Sequence, residues 1–291
     1  MTTIGFLGAG QLGEPMVHRL LGAGHDVLVY ARRDDLRARL RDKGASLAGS
    51  VADLAARAPI LISCLFSDAQ LRETGLGPDG FIANAKPGAV FVSHTTGTVA
   101  TLTELSAASS SPPTILDAPV SGTADHIAQG RLTVLIGGDQ AAVERVRQVL
   151  ASYADPIIAT GQLGTALHIK LINNLLFAAN AQLVAAAVTV GEQLGVAPGA
   201  LLPVLSVCSG GSNAAGYVQS TGGMETFVGM AAPFLRKDVA AAIAAAEQVG
   251  ADLGFLRSVV EMGPLSLTAA NRDAHHRRGA RADRSTRPHP C

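Results

Sequence analysis

Ile4-Gly5-Phe6-Leu7-Gly8-Ala9-Gly10-Gln11-Leu12-Gly13 is the stretch on which the fold turns. Apolar Ile4 to Leu7 has the make-up of a buried parallel strand, and the glycine-rich turn after it leads into a helical segment ending near Leu21. In such a strand, turn and helix, one glycine makes the tight turn, another lets the backbone approach a pyrophosphate, and a third lets helix pack on strand. The helix start adds N–H groups for the anion. A lone GxGxxG is weak in a chain with 32 glycines. Here a strand precedes it, a helix follows, and a second strand from Asp26 to Tyr30 completes the unit. The expected dinucleotide-binding residues are Gly8, Ala9, Gly10, Gln11, Leu12 and Gly13.

The end of that second strand separates the two nicotinamide cofactors. An acid there suits the ribose 2′-hydroxyl of NAD, whereas arginine accommodates the 2′-phosphate of NADP. The chain reads Tyr30-Ala31-Arg32-Arg33, with Asp34 and Asp35 only afterwards. NADP(H) is therefore expected over NAD(H), with Arg32 and Arg33 at the phosphate.

Helical and strand signals continue to alternate through Leu61 to Leu65, Val90 to Ser93, Ile115 to Val120 and Thr133 to Ile136. Glycine and proline punctuate the connections, as in Gly77-Pro78-Asp79-Gly80. That is the pattern of an α/β fold with a Rossmann-like, doubly wound parallel sheet. Ligands of such sheets bind beyond the carboxyl ends of the strands, where Leu65-Phe66, Thr95-Thr96 and Ser121-Gly122 fall. After Ile157 to Ala159 strand signals stop. The expected division is a Rossmann domain over residues 1–161 and an all-α substrate and oligomerisation domain over 162–291, with 275–291 as a solvated tail.

Gly161 to Gly195 is a second informative stretch, because no ionisable side chain lies between Lys170 and Glu192. It reads as one helix of about 30 residues, roughly 45 Å long. Its length and apolarity raise a membrane span, but Asn173, Asn174, Asn180 and Gln182 interrupt it, so a core helix is expected instead. Lys170 and Asn174 share one face of it. Further helices are expected near Ala200 to Val207, Arg236 to Val249 and Leu253 to Met262.

Composition narrows the function classes. The 291 residues are 48% hydrophobic and 16% charged, with zero formal net charge and a pI near 7.1. No basic surplus points to nucleic acid. Cys64, Cys208 and Cys291 are odd in number and lack metal-ligand spacing, which fits a reducing, cytoplasmic setting. The N-terminus enters a strand at once, so no signal peptide is expected. His275-His276 has no carboxylate or cysteine partner at ligand spacing, so no metal is expected.

Four stretches in this order resemble the beta-hydroxyacid dehydrogenase family, which includes hydroxyisobutyrate dehydrogenase, tartronate semialdehyde reductase, other semialdehyde reductases and, distantly, phosphogluconate dehydrogenase. They are Gly5-Phe6-Leu7-Gly8-Ala9-Gly10 on to Met16, Asp117-Ala118-Pro119-Val120-Ser121-Gly122, Gly164 through Lys170 to Asn173-Asn174, and Lys237-Asp238. The resemblance implies that Lys170 is the catalytic lysine and that Ser121, Gly122 and Asn174 hold the substrate; Thr123, next in the same loop, is expected beside them. It further implies that Leu65, Phe66, Thr96 and Lys237 contact the cofactor. The chain departs from the family pattern at Thr123-Ala124-Asp125-His126, read here as a solvent-exposed loop pair at Asp125 and His126, and at Phe66, where the family commonly has proline.

Lysine suits the implied chemistry. Hydride transfer between an alcohol and nicotinamide needs a group that takes the hydroxyl proton in one direction and returns it in the other. A lysine in a desolvated cleft can do both, whereas arginine stays protonated. The resulting expectation is an NAD(P)-dependent dehydrogenase or reductase acting on a small β-hydroxy acid or its semialdehyde, as a homodimer or homotetramer. The alternatives are an imine reductase-like enzyme, a group that usually replaces this lysine, and a non-catalytic dinucleotide-binding regulatory protein.

Overall fold

The computed structural model describes residues 2–268, so the tail and His275-His276 lie outside the described residues. Contacts divide the chain into two compact units, Met1–Lys170 and Leu171–Cys291. The first holds nine strands: β1 (Thr3–Leu7), β2 (Asp26–Tyr30), β3 (Ser46–Leu47), β4 (Ile60–Ser63), β5 (Val90–Ser93), β6 (Thr114–Asp117), β7 (Val120–Ser121), β8 (Leu132–Gly137) and β9 (Ala154–Gly161). Their order is β3-β2-β1-β4-β5-β6-β8-β7, with β9 on the other side of β8.

The sheet is parallel from β3 to β6. It is mixed beyond that, because β8 runs antiparallel to both β6 and β7. The expected doubly wound parallel sheet is thus present, with an antiparallel addition at its far edge. The reversal has a simple cause: only residues 122–131 separate β7 from β8, and a parallel return needs a crossover of a dozen residues or more. The Ile115 to Val120 run also divides into two strands around Ala118 and Pro119, since proline cannot donate to a ladder.

Helices cover both faces of this sheet: α1 (Gly13–Gly22), α2 (Asp34–Asp42), α3 (Val51–Arg57), α4 (Asp68–Gly75), α5 (Phe81–Asn84), α6 (Val99–Ala107), α7 (Ala124–Ala128) and α8 (Gln140–Leu150). Strand residues pointing alternately to opposite faces feed two cores. Ile4, Phe6, Ile60, Ile62, Val90 and Val92 pack on one side. Leu7, Leu61, Phe91 and Ile115 pack on the other with Phe81 of α5.

α9 (Thr165–Gln193) is a single helix of 29 residues that begins in the first unit and continues into the second. The second unit continues with α10 (Pro198–Val207), α11 (Asn213–Ser220), α12 (Met224–Val249) and α13 (Gly254–Met262). Its core joins Leu171, Leu175, Ala178 and Val184 of α9 to Val218, Phe227, Leu235 and Val239. By length and composition α9 is long and apolar enough to cross a membrane, yet 56% of its most apolar window is buried inside the protein. α12 starts twelve residues earlier than expected, because it continues through Pro233. Proline lacks the N–H of a helix interior, and its presence conceals the first turns of α12 from a reading by propensity.

Candidate active site

The turn between β1 and α1 assigns each of its three glycines a separate task. Gly8 has a φ of +86° and a Cβ there would lie 2.4 Å from the Cys64 carbonyl oxygen. A Cβ at Gly13 would lie 2.2 Å from the Gly8 carbonyl oxygen, so the helix could not close on the strand. A Cβ at Gly10 would meet nothing within 4 Å. The protein's own packing thus accounts for Gly8 and Gly13, whereas the small residue at Gly10 leaves room on the open side, where a pyrophosphate would lie against backbone. Residues present therefore fit a dinucleotide.

That open side belongs to a cleft of about 800 Å³, lined by Gly8, Ala9, Gly10 and Gln11 together with Tyr30, Arg32, Arg33 and Leu65. Leu12 and Gly13 form the back of the turn, where α1 begins. Two substitutions separate the tasks. Gly13→Ala is expected to cost about 1–3 kcal/mol through overpacking, read as a lower urea midpoint. Gly10→Ala, at an exposed position, is expected to change stability by less than about 0.5 kcal/mol while weakening cofactor binding about tenfold or more, or roughly 1.4 kcal/mol. Titration by nucleotide fluorescence reads the difference.

Arg32 and Arg33 stand at the end of β2, each beside a carboxylate. Arg32 Nη1 lies 3.6 Å from Glu73 Oε1 of α4, and Arg33 Nε lies 3.7 Å from Asp35 Oδ1. Farther along the carboxyl edge, Phe66 is exposed and its backbone N–H donates to Gln70 Oε1 at 2.9 Å. Thr96 is half-buried in a loop that Asp68 secures, since Asp68 Oδ2 accepts from the Thr98 N–H and hydroxyl, both at 3.0 Å.

Under this edge lies a buried polar pair. His94 Nδ1 contacts the Ala118 carbonyl oxygen, which can only accept, so Nδ1 carries the proton and Nε2 accepts from the Tyr153 hydroxyl at 2.8 Å. Burial pushes the His94 pKa down to about 4, and burial pushes the Cys64 thiol up to about 12, leaving it protonated and a poor nucleophile. An unfolded histidine titrates near ~6.5. Between pH ~6.5 and ~4 the unfolded chain thus binds more protons at this residue than the folded one, and stability falls as pH falls. The expected loss reaches about 3 kcal/mol near pH 4, and His94→Gln should flatten this part of the pH–stability profile.

Ser121 ends β7, and Gly122 follows with a φ of +142°; both are exposed. Thr123 caps α7. Its backbone N–H and hydroxyl both approach His126 Nδ1, at 3.0 and 3.1 Å. His126 is thus a helix-capping partner, and Asp125 lies exposed in the first turn of α7, so the expected loop is a short helix.

Lys170 lies in the second turn of α9, and Asn174 is one turn further along the same helix. The helix start is held by Asp117, a fully buried carboxylate at the end of β6. Its Oδ1 accepts from the Gly164 N–H and its Oδ2 from the Leu167 N–H, both at 2.8 Å. In the second unit, Asn174 Nδ2 donates to Asp238 Oδ2 at 2.8 Å, and Lys237 Nζ lies 3.3 Å from Asp238 Oδ1. Asp117, Asp238 and Glu73 were not anticipated as site residues. A carboxylate ending the run Thr114-Ile115-Leu116-Asp117, at the head of the Asp117 to Gly122 stretch, is the local signal that could have found Asp117.

The glycine turn, the cleft and the sheet define a Rossmann-type dinucleotide-binding protein. Residues 3–161 match the NAD binding domain of 6-phosphogluconate dehydrogenase, and residues 164–282 match the NAD-binding domain of NADP-dependent 3-hydroxyisobutyrate dehydrogenase. An uncharacterized oxidoreductase of Mycobacterium tuberculosis is 32% identical over 263 residues, covering 86% of this chain and 88% of that one. Human mitochondrial 3-hydroxyisobutyrate dehydrogenase is 29% identical over 210 residues, covering 72% of this chain and 62% of that one. The structure of Mycobacterium tuberculosis 3-hydroxyisobutyrate dehydrogenase with L-serine superposes with a TM-score of 0.79 at 28% identity, covering 90% and 92% of the two chains. The chain belongs to the 3-hydroxyisobutyrate dehydrogenase family and is an NAD(P)-dependent oxidoreductase that acts on a hydroxyl group.

Proposed function

We propose that this enzyme interconverts a small β-hydroxy acid and its semialdehyde with NADP(H), Lys170 moving the hydroxyl proton. The observation that carries this reading is the anchoring of the helix start by Asp117, which fixes the first turns of α9 and with them the backbone of Lys170. A dinucleotide held at the glycine turn would supply the hydride-transfer chemistry. In oxidation the Lys170 amine takes the hydroxyl proton, and in reduction the ammonium returns it to the carbonyl oxygen. Asn174 orients the substrate, its own amide held in place by donating to Asp238 Oδ2 and accepting from Asn173 Nδ2. Ser121 and the backbone at Gly122 hold the substrate carboxylate, and Arg32 and Arg33 receive the 2′-phosphate. The relative solved with L-serine, itself a β-hydroxy acid, supports the substrate class.

The test is a steady-state assay of the purified protein with a panel of β-hydroxy acids, their semialdehydes and cyclic imines. Turnover of a hydroxy acid or semialdehyde is expected. Reduction of imines alone would instead favour the imine reductase reading, and tight NADPH binding without any turnover would favour the regulatory one.

We further propose that the enzyme is a homo-oligomer in the cytoplasm. Ile172, Leu176, Leu183 and Val190 are 49 to 60% exposed, and their spacing of four, seven and seven places them along one stripe of α9. A second copy of this helical unit would cover that stripe. Light scattering reads the assembly directly, and a monomer at micromolar concentration would contradict it.

A further inference from the structure

Glu73 stands where local helix rules do not favour it. It lies in the last turn of α4, where the partial negative charge of the helix end disfavours a carboxylate. Its neighbour Arg72 is engaged elsewhere, with Nε 2.6 Å from Glu104 Oε2. Glu73 instead lines the dinucleotide cleft and reaches Arg32 Nη1 from the facing wall, at 3.6 Å. A charge that breaks a local rule inside a ligand cleft marks a functional position more often than a stabilising one.

We infer that Glu73 sets the cofactor selectivity of this enzyme: its carboxylate occupies the Arg32 guanidinium and opposes the 2′-phosphate of NADP(H). The inference rests on the reading of Arg32 as a phosphate-binding residue. Both partners of the ion pair are about two-thirds exposed, so water screens their attraction and the pair is weak. A phosphate offers arginine a doubly charged, bidentate partner and displaces the carboxylate. Glu73 then remains one guanidinium's width from the phosphate as an uncompensated like charge. Arg33 adds to the balance in the same sense, because the carboxylate of Asp35 already stands beside it. The site is therefore tuned rather than maximised for the phosphorylated cofactor, and a single neutral substitution should shift it. AMP lacks the 2′-phosphate and should not register the change.

The experiment is calorimetric titration of the full-length protein and of Glu73→Gln and Arg32→Gln with adenosine 2′,5′-bisphosphate and with AMP, at low and at high salt. Glu73→Gln is expected to tighten the bisphosphate about 3- to 10-fold at low salt, as a unit charge some 6–7 Å from a phosphate would in water. AMP affinity should move by less than about twofold, and the gain should shrink at high salt through screening. An unchanged ratio of the two affinities in Glu73→Gln at low salt overturns the inference. Arg32→Gln reports on the underlying reading by itself. If wild type binds both nucleotides alike and Arg32→Gln alters neither, NADP preference through Arg32 is wrong. Glu73→Gln still decides in that case, since removing the carboxylate either creates a preference for the bisphosphate or does not.

Discussion

Replacing Lys170 with alanine is expected to lower kcat by about 10²- to 10⁴-fold, the usual contribution of a positioned proton-transfer group, while NADPH affinity changes little. The division between the two readouts follows from where the residues lie. The cleft lined by Gly10, Arg32 and Leu65 is built from β1, β2 and the segment after β4, whereas Lys170 belongs to α9. Lys170→Arg should not restore turnover, because a guanidinium keeps its charge but does not release its proton near neutral pH. That comparison distinguishes a proton carrier from a simple positive charge, since arginine would rescue a residue whose only task is to attract a carboxylate. Pre-steady-state measurement with NADPH and an accepted semialdehyde places the defect in the chemical step. Equal turnover by wild type and Lys170→Ala on every accepted substrate would remove Lys170 from the mechanism.

What could be read from the sequence divides along physical lines. The glycine turn was legible because each of its demands is local: a positive φ at Gly8, a close approach at Gly13 and open space at Gly10 all arise within one turn of chain. The uncharged run of α9 was legible for the same reason, since a charge-free stretch of that length admits few structures. The direction of β8 was not, because it depends on the length of a connection relative to the reach of a crossover, and the residues of β8 are apolar either way. The pairing of Asn174 with Asp238 spans 64 residues, and that of Arg32 with Glu73 joins a loop to a helix end 41 positions later. Periodicity and propensity carry no information about such partners. Lys237-Asp238 was visible as a motif, but what its carboxylate holds became clear only from the fold.

Asp117→Ala is expected to destabilise the enzyme by about 3–5 kcal/mol, because two buried backbone N–H groups lose a charged acceptor, at about 1–3 kcal/mol each, and a cavity forms where the carboxylate was. The loss should appear as a lower urea midpoint with an unchanged slope. Asp117→Asn keeps the volume and one acceptor oxygen, but turns an NH₂ toward the other N–H, so about 1–3 kcal/mol is expected. The functional consequence is larger than the stability change alone implies. Gly164 and Leu167 bracket the first turn of α9, and Lys170 lies three residues beyond Leu167 on the same helix. Releasing that turn lets the helix start shift, and a displacement of about 1 Å at a reacting group can cost on the order of 10²-fold in rate. Asp117→Asn assayed below its unfolding range should therefore lose kcat while cofactor affinity stays near wild type. If Asp117→Ala unfolds within about 1 kcal/mol of wild type, the carboxylate does not anchor α9. If Asp117→Asn keeps full turnover, the position of Lys170 does not depend on that anchor.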